Sequence, residues 1–103
     1  MFIDVSASPA GLLKLLGEPI RWSIVQRLAR EELCVCHLVD DLALAQPLVS
    51  HHLRALRQAG VVRAERCGAF TYYVLDRAVL TEAASALGQL GSAPPSPSRR
   101  PCR

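Results

Sequence analysis

The stretch Gln46-Pro-Leu-Val-Ser-His-His-Leu-Arg-Ala-Leu-Arg-Gln-Ala-Gly60 constrains the fold more than any other part of this chain. Val49, Leu53 and Leu56 recur at spacings of four and three, the period of a helix with one face in a core. Pro47 suits the first turn, where its missing N–H is no loss, and Gly60 suits the position just past the last turn. The outer face carries Gln46, Ser50, His51, Arg54 and Arg57, hydrogen-bonding groups with no acid among them. Such a face fits base edges and phosphates, and equally the solvated side of an ordinary core helix. The neighbouring segments decide between the two.

With 103 residues the chain makes one domain, large enough for a modest core but not for a big enclosed active site. Binding another macromolecule is favoured over elaborate catalysis, and no nucleophile, base and orienting group fall together, so an enzyme is not expected. The net charge of +3 is unevenly placed. Glu31, Glu32, Asp40 and Asp41 crowd residues 31 to 41, whereas Arg54, Arg57, Arg63 and Arg66 face only Glu65 between residues 46 and 66. No apolar run is long enough to span a bilayer, and Met-Phe-Ile-Asp-Val at the start lacks the features of a secretory signal. The expectation is a cytoplasmic protein without a membrane partner. Its four cysteines, two of them one residue apart, then read as reduced thiols for metal or redox chemistry rather than a disulfide framework.

Along the chain, residues 9 to 17 predict a short helix with Leu12, Leu13, Leu15 and Leu16 round much of its circumference, more apolar surface than one small core needs. Glu18-Pro19 opens a second helix running to about Arg30, buried through Ile20, Ile24 and Leu28. A third is predicted from about Cys34 to Ala43, with Leu38 and Leu42 inward and Glu31 and Glu32 ahead of its positive end. Leu44 and Ala45 connect it to the opening stretch, and the pair reads as a helix-turn-helix. Ala45 stands where a Ser or Thr would cap better. After Gly60 the period changes: residues 61–66 and 70–75 predict a β-hairpin joined by Cys67-Gly68-Ala69. Asp76 can cap a last helix through Leu90, with Val79, Leu80, Ala83, Ala84 and Leu87 as its apolar side. From Gly91 the Pro- and Ser-rich composition cannot pack, so residues 1–90 are expected to form the domain and 91–103 a disordered tail.

This order of elements, mainly α with a β-hairpin wing, is that of a winged helix-turn-helix. Residues 12 to 90 resemble the ArsR/SmtB family of metal-responsive repressors through Glu32-Leu33-Cys34-Val35-Cys36-His37-Leu38, Gln46-Pro47-Leu48-Val49-Ser50-His51-His52-Leu53 and the wing ending Tyr72-Tyr73-Val74-Leu75. The first motif resembles the arsenic-sensing branch. The resemblance implies a homodimer that binds pseudopalindromic operator DNA and releases it on binding metalloid, with Gln46, Ser50 and His51 entering the major groove. Gln suits adenine, Ser either kind of edge, and Arg54 guanine or phosphate. Leu48 and Arg57 complete the candidate contacts on that helix. His52, about 100 degrees round from His51, is kept among them although packing or capping is its expected role. Arg63 and Arg66 are candidate phosphate contacts on a wing whose tip lacks the basic residues common in the family, and Arg99, Arg100 and Arg103 can add non-specific attraction.

Cys34 and Cys36 are the candidate sensor. Trivalent arsenic and antimony are thiophilic and favour three thiolates, and thiols near a helix N-terminus are nucleophilic. Residues two apart on an ideal helix point about 200 degrees away from each other, so both can hold one ion only if that turn unwinds or starts late. Binding is therefore expected to distort the helix and oppose DNA by linkage. The arsenic branch often has a further Cys where this chain has Val39; Cys102, on a tail that reaches roughly 40 Å, is the favoured third ligand, with a two-thiolate site or a small external thiol as the alternatives. Cys67 belongs to the wing, away from the third helix. His37 shares a face with Cys34, which makes a zinc or cadmium site conceivable, though a surface hydrogen bond is the expected role. Thiol redox sensing or cadmium and zinc sensing on the same fold are the alternatives. The Asp and His site that other family members carry on the last helix is not expected, since residues 78 to 90 contain no His.

Overall fold

The computed structural model describes residues 8–102, so the expectations about the first five residues and about Arg103 lie outside it. The elements run α1 (Pro9–Leu16), α2 (Pro19–Leu28), β1 (Leu33–Cys34), α3 (Val35–Leu42), α4 (Gln46–Gln58), β2 (Val62–Cys67), β3 (Phe70–Leu75) and α5 (Arg77–Ser92). The helix starts follow from local chemistry. Ser8 Oγ accepts from the Gly11 N–H at 3.0 Å, Glu18 Oε2 from the Arg21 N–H at 2.9 Å and Asp76 Oδ1 from the Ala78 N–H at 3.1 Å. The end of α4 is built around Gly60 at φ 78°: Gly60 N–H donates to Arg57 O at 3.0 Å and Val61 N–H to Leu56 O at 2.9 Å. These paired bonds, with Leu56 and Val61 both buried, form a Schellman stop.

One core gathers these elements. Leu12 and Leu16 of α1, Ile24, Val25 and Leu28 of α2, Leu38 of α3, and Val49, Leu53 and Leu56 of α4 meet Val61, Val62 and Leu75 at the root of the wing. The predicted apolar stripe of α4 is fully enclosed, as are Ile24, Leu38 and Val61, and α3 packs against α4 while α1 packs against α5. Arg77 Nη2 donates to Ala29 O at 2.9 Å, tying the start of α5 to the end of α2.

Four expectations need correction. The wing is the outer part of a three-stranded antiparallel sheet in the order β1-β3-β2, because Leu33 and Cys34 pair with Tyr73 and Tyr72. The hairpin closes at Cys67 and Phe70 over a two-residue turn, Gly68-Ala69, in which Gly68 takes the left-handed φ of 62° that glycine accepts. Helix α3 starts at Val35 rather than Cys34, since Cys34 is spent on the strand. Finally, α5 continues through Gly91 and Ser92, into the stretch expected to be disordered; residues 93–102 form no helix or strand.

Candidate metal centre and nucleic-acid interface

Cys34 is the N-cap of α3, with φ −87° and ψ 168°, and Cys36 lies inside the first turn. The extended backbone at Cys34 removes the angular conflict that a continuous helix would impose, and the two sulfurs meet as a disulfide. The requirement that the helix start late is thus met by the fold itself, and the expected distortion loses its premise. Cys34 is 3 % exposed, whereas Cys36 and His37 face solvent. The donor atoms of Cys34, Cys36 and His37 all lie within 4.8 Å of one another. His37 Nδ1 accepts the Cys34 N–H at 3.1 Å, and its ring stands 6.2 Å from that of Tyr72. Once reduced, the pair offers two thiolates to a soft ion and His37 a borderline nitrogen. Cys102 and Cys67 are free and exposed, and neither is brought to the pair.

Helix α4 turns Gln46, Leu48, His51, Arg54 and Arg57 outward, with Ser50 half-buried beside them. His52, retained among the candidate DNA contacts, points the other way and is 6 % exposed. Its Nδ1 accepts from Arg21 Nε at 3.1 Å, and Arg21 Nη1 donates to Leu15 O at 3.1 Å, so one guanidinium joins α1, α2 and α4. Burial holds His52 below its ordinary pKa, against the upward pull of Glu18 at 3.8 Å. The backbone N–H of Arg21 holds Glu18 low in turn. On the wing Arg63 and Arg66 are exposed, and Arg63 Nε donates to Glu65 Oε1 at 3.0 Å, which offsets part of its charge. The exposed Phe70 at the wing tip was not singled out in the sequence, where it reads as one more β-type residue.

Two features escaped the sequence reading. Pairing of β1 with β3 ties the Cys34 backbone to the wing, and a two-residue strand has no periodicity to betray it. His37 as the acceptor for Cys34 had a signal: its position is the third of a capping box, with Cys and His in place of Ser and Glu.

A helix-turn-helix backed by a β-wing, with a cysteine pair at the head of its first helix, defines a winged-helix transcriptional regulator. The model of the bacterial regulatory protein arsR family matches residues 18–64. The uncharacterized HTH-type transcriptional regulator MJ1325 of Methanocaldococcus jannaschii is 41 % identical over 69 residues, 65 % of this chain and 78 % of that protein. The chain therefore belongs to the ArsR family, whose members are transcriptional regulators and not enzymes. The repressor SmtB of Mycobacterium tuberculosis is 48 % identical over 64 residues, 62 % of this chain but 47 % of its own length. An ArsR-like regulator from Rhodococcus sp. RHA1 superposes with a TM-score of 0.77 at 26 % identity, covering 87 % of this chain and 85 % of that one. Relatives at 42 %, 32 % and 36 % identity are an arsenic resistance regulator of Pseudomonas putida, an arsenical resistance operon repressor of Staphylococcus aureus and the cadmium resistance regulator CadC of Listeria innocua.

Proposed function

We propose that this regulator is a metalloid-responsive repressor, a homodimer that holds a pseudopalindromic operator and lets it go when As(III) or Sb(III) bridges Cys34 and Cys36. The observation that carries the reading is the convergence of the two sulfurs at the start of α3. With arsenite, each thiol proton leaves with an arsenic hydroxyl as water while an As–S bond forms. Two thiols give a two-coordinate sulfur site with one hydroxyl left, and a third thiol displaces it. Cys102, of the same chain or its partner, is the proposed third donor. The names of the arsenic resistance relatives support the ligand class.

Coupling to DNA runs through the position of the pair. Cys34 ends β1, which pairs with β3 of the wing, and heads α3, which packs on α4. An ion exchanged for the sulfur–sulfur bond changes the spacing of the pair at the point where both halves of the proposed interface join, and ion and operator oppose each other. In that interface Gln46, Leu48, Ser50 and His51 meet base edges, Arg54 and Arg57 base edges or phosphates, and Arg63 and Arg66 phosphates. His52 leaves this set for an internal role. Among the described residues, 8–92 would form the working domain, with the rest a tail. Among the described residues no helix is long and apolar enough to cross a membrane, in keeping with action on DNA in the cytoplasm.

A second reading uses the same pair, since the sulfurs are joined. A hydroperoxide that takes two electrons and two thiol protons would form that bond and be reduced to water and its alcohol. An operator gel shift separates the readings, run on reduced wild type, Cys34→Ser, Cys36→Ser and Cys102→Ser with arsenite, cadmium or peroxide. Arsenite releases the wild type and neither N-terminal cysteine variant; release by peroxide alone would move the function to redox sensing. A normal response from Cys102→Ser would remove the tail from the site.

A further inference from the structure

We propose that Arg21 and His52 are positioning residues for DNA reading: the hydrogen bond between them locks the His52 ring, and that ring, packed edge-on against His51, holds His51 in the pose that meets the operator. The proposal rests on the reading of α4 as the operator-binding helix and gives a part in it to two side chains outside the proposed contact face.

The His52 ring is held from two helices other than its own. It is 6 % exposed, and its Nδ1 accepts from Arg21 Nε at 3.1 Å. A guanidinium is planar, so the second bond, from Arg21 Nη1 to Leu15 O of α1 at 3.1 Å, fixes the plane of the first. Arg21 is itself seated in the first turn of α2, where its backbone N–H donates to Glu18 Oε2 at 2.9 Å.

The sense of the Arg21 bond also sets the tautomer. Nδ1 accepts, so the neutral ring carries its proton on Nε2. The charged or titratable groups around this ring are Glu18, Arg21 and His51; burial and the Arg21 charge keep it neutral against the pull of Glu18, whose Oε2 lies 3.8 Å from the same Nδ1. One tautomer and one bonded partner leave the ring one seat.

His51 stands one step further out. Neighbours on a helix point about 100 degrees apart, so two such rings meet only in particular rotamers. Here the centroids are 5.2 Å apart with the planes at 68°, the edge-to-face arrangement that aromatic pairs prefer. His51 is exposed, and among the described residues its ring has no hydrogen-bond or ion-pair partner, so the contact with His52 is the specific restraint on its pose before DNA arrives. That pose has consequences for reading. A neutral imidazole has one donor and one acceptor nitrogen, and the orientation of the ring decides which of them faces a base edge.

The probe is a duplex selected from a random library by the full-length wild-type protein, set against a non-specific duplex of equal length. Affinities are measured by fluorescence anisotropy for wild type, His52→Asn, His51→Ala, the double variant and Arg21→Met. His52→Asn keeps an acceptor for Arg21 and removes the ring, so its helical content stays that of wild type. Its affinity for the selected duplex falls at least about fivefold, while non-specific binding changes by less than about twofold. His51→Ala shows a similar loss, and the double variant binds no worse than His51→Ala alone, because the two residues act as one unit. Arg21→Met, which leaves the ring but frees it, repeats the loss on the selected duplex, and the His51 Hε1 resonance moves in both Arg21→Met and His52→Asn. An equal loss from His52→Asn with and without His51 would show that His52 supports only the fold, and wild-type affinity in either single variant would also overturn the proposal. A wild-type protein that yields no preferred duplex overturns the reading of α4 as the operator-binding helix, and the positioning role with it.

Discussion

His52 shows how one residue position can be mistaken for its neighbour. His51 and His52 differ by one step on α4, yet the first meets solvent and the second accepts a hydrogen bond from Arg21 inside the protein. Burial depresses the pKa of His52 below its ordinary value of 6.5, and protonation would turn its Nδ1 from acceptor to donor, facing the Arg21 guanidinium. In the unfolded chain the same imidazole titrates normally. Below about pH 6.5 the unfolded state therefore binds a proton that the folded state refuses. The stabilisation is complete above that pH and declines as pH falls through the depressed folded value. Thermal midpoints at pH 7.5 and 5.5 will drop more for wild type than for His52→Asn, whose amide oxygen can stand in for Nδ1 without titrating. Parallel slopes for the two proteins would mean that His52 is not the group responsible.

At the scale of the element, α4 is well terminated and poorly begun. Its N-cap is Ala45, which provides no side-chain acceptor, whereas α1, α2 and α5 all have one. Ala45→Ser is expected to stabilise the fold by about 1 kcal/mol, read as a higher denaturant midpoint at unchanged slope. Gly60 has open space for a Cβ but a left-handed φ of 78°. Gly60→Ala is thus a backbone test alone and should cost about 1 kcal/mol; no loss would show that the stop tolerates an L side chain freely. Much of this element was legible, because Val49, Leu53 and Leu56 announce a period and Pro47 and Gly60 its ends. The sensor was legible only in composition. Its spacing on a continuous helix implied diverging thiols, and nothing local revealed that Cys34 would be drawn into a strand by Tyr72, 38 positions further along. Ala43, which turns from α3 towards α4 at φ 54°, was equally silent, since Gly or Asn is the usual residue there.

For the whole molecule, the question is what covers the face where α1 meets α5. Leu13 is 41 % exposed, Leu87 53 % and Leu90 77 %, and the exposed Trp22 lies on the neighbouring α2. Apolar surface at that level suits burial against a second copy, which is how the proposed dimer would form. The two copies would then present two recognition helices to one operator, and affinity would come from their joint engagement rather than from either helix alone. Replacing both Leu87 and Leu90 by Glu puts four charges into such an interface without touching the core of the monomer. Sedimentation should find that variant monomeric with its helical content intact. Its operator affinity should fall at least about 100-fold, the loss of avidity expected when linked sites are separated. The dependence of the logarithm of affinity on salt should also fall to about half its slope, because one copy brings half the phosphate contacts. A variant that stays dimeric and binds the operator like wild type would put the interface elsewhere; one that turns monomeric yet keeps full affinity and slope would show that a single recognition helix suffices.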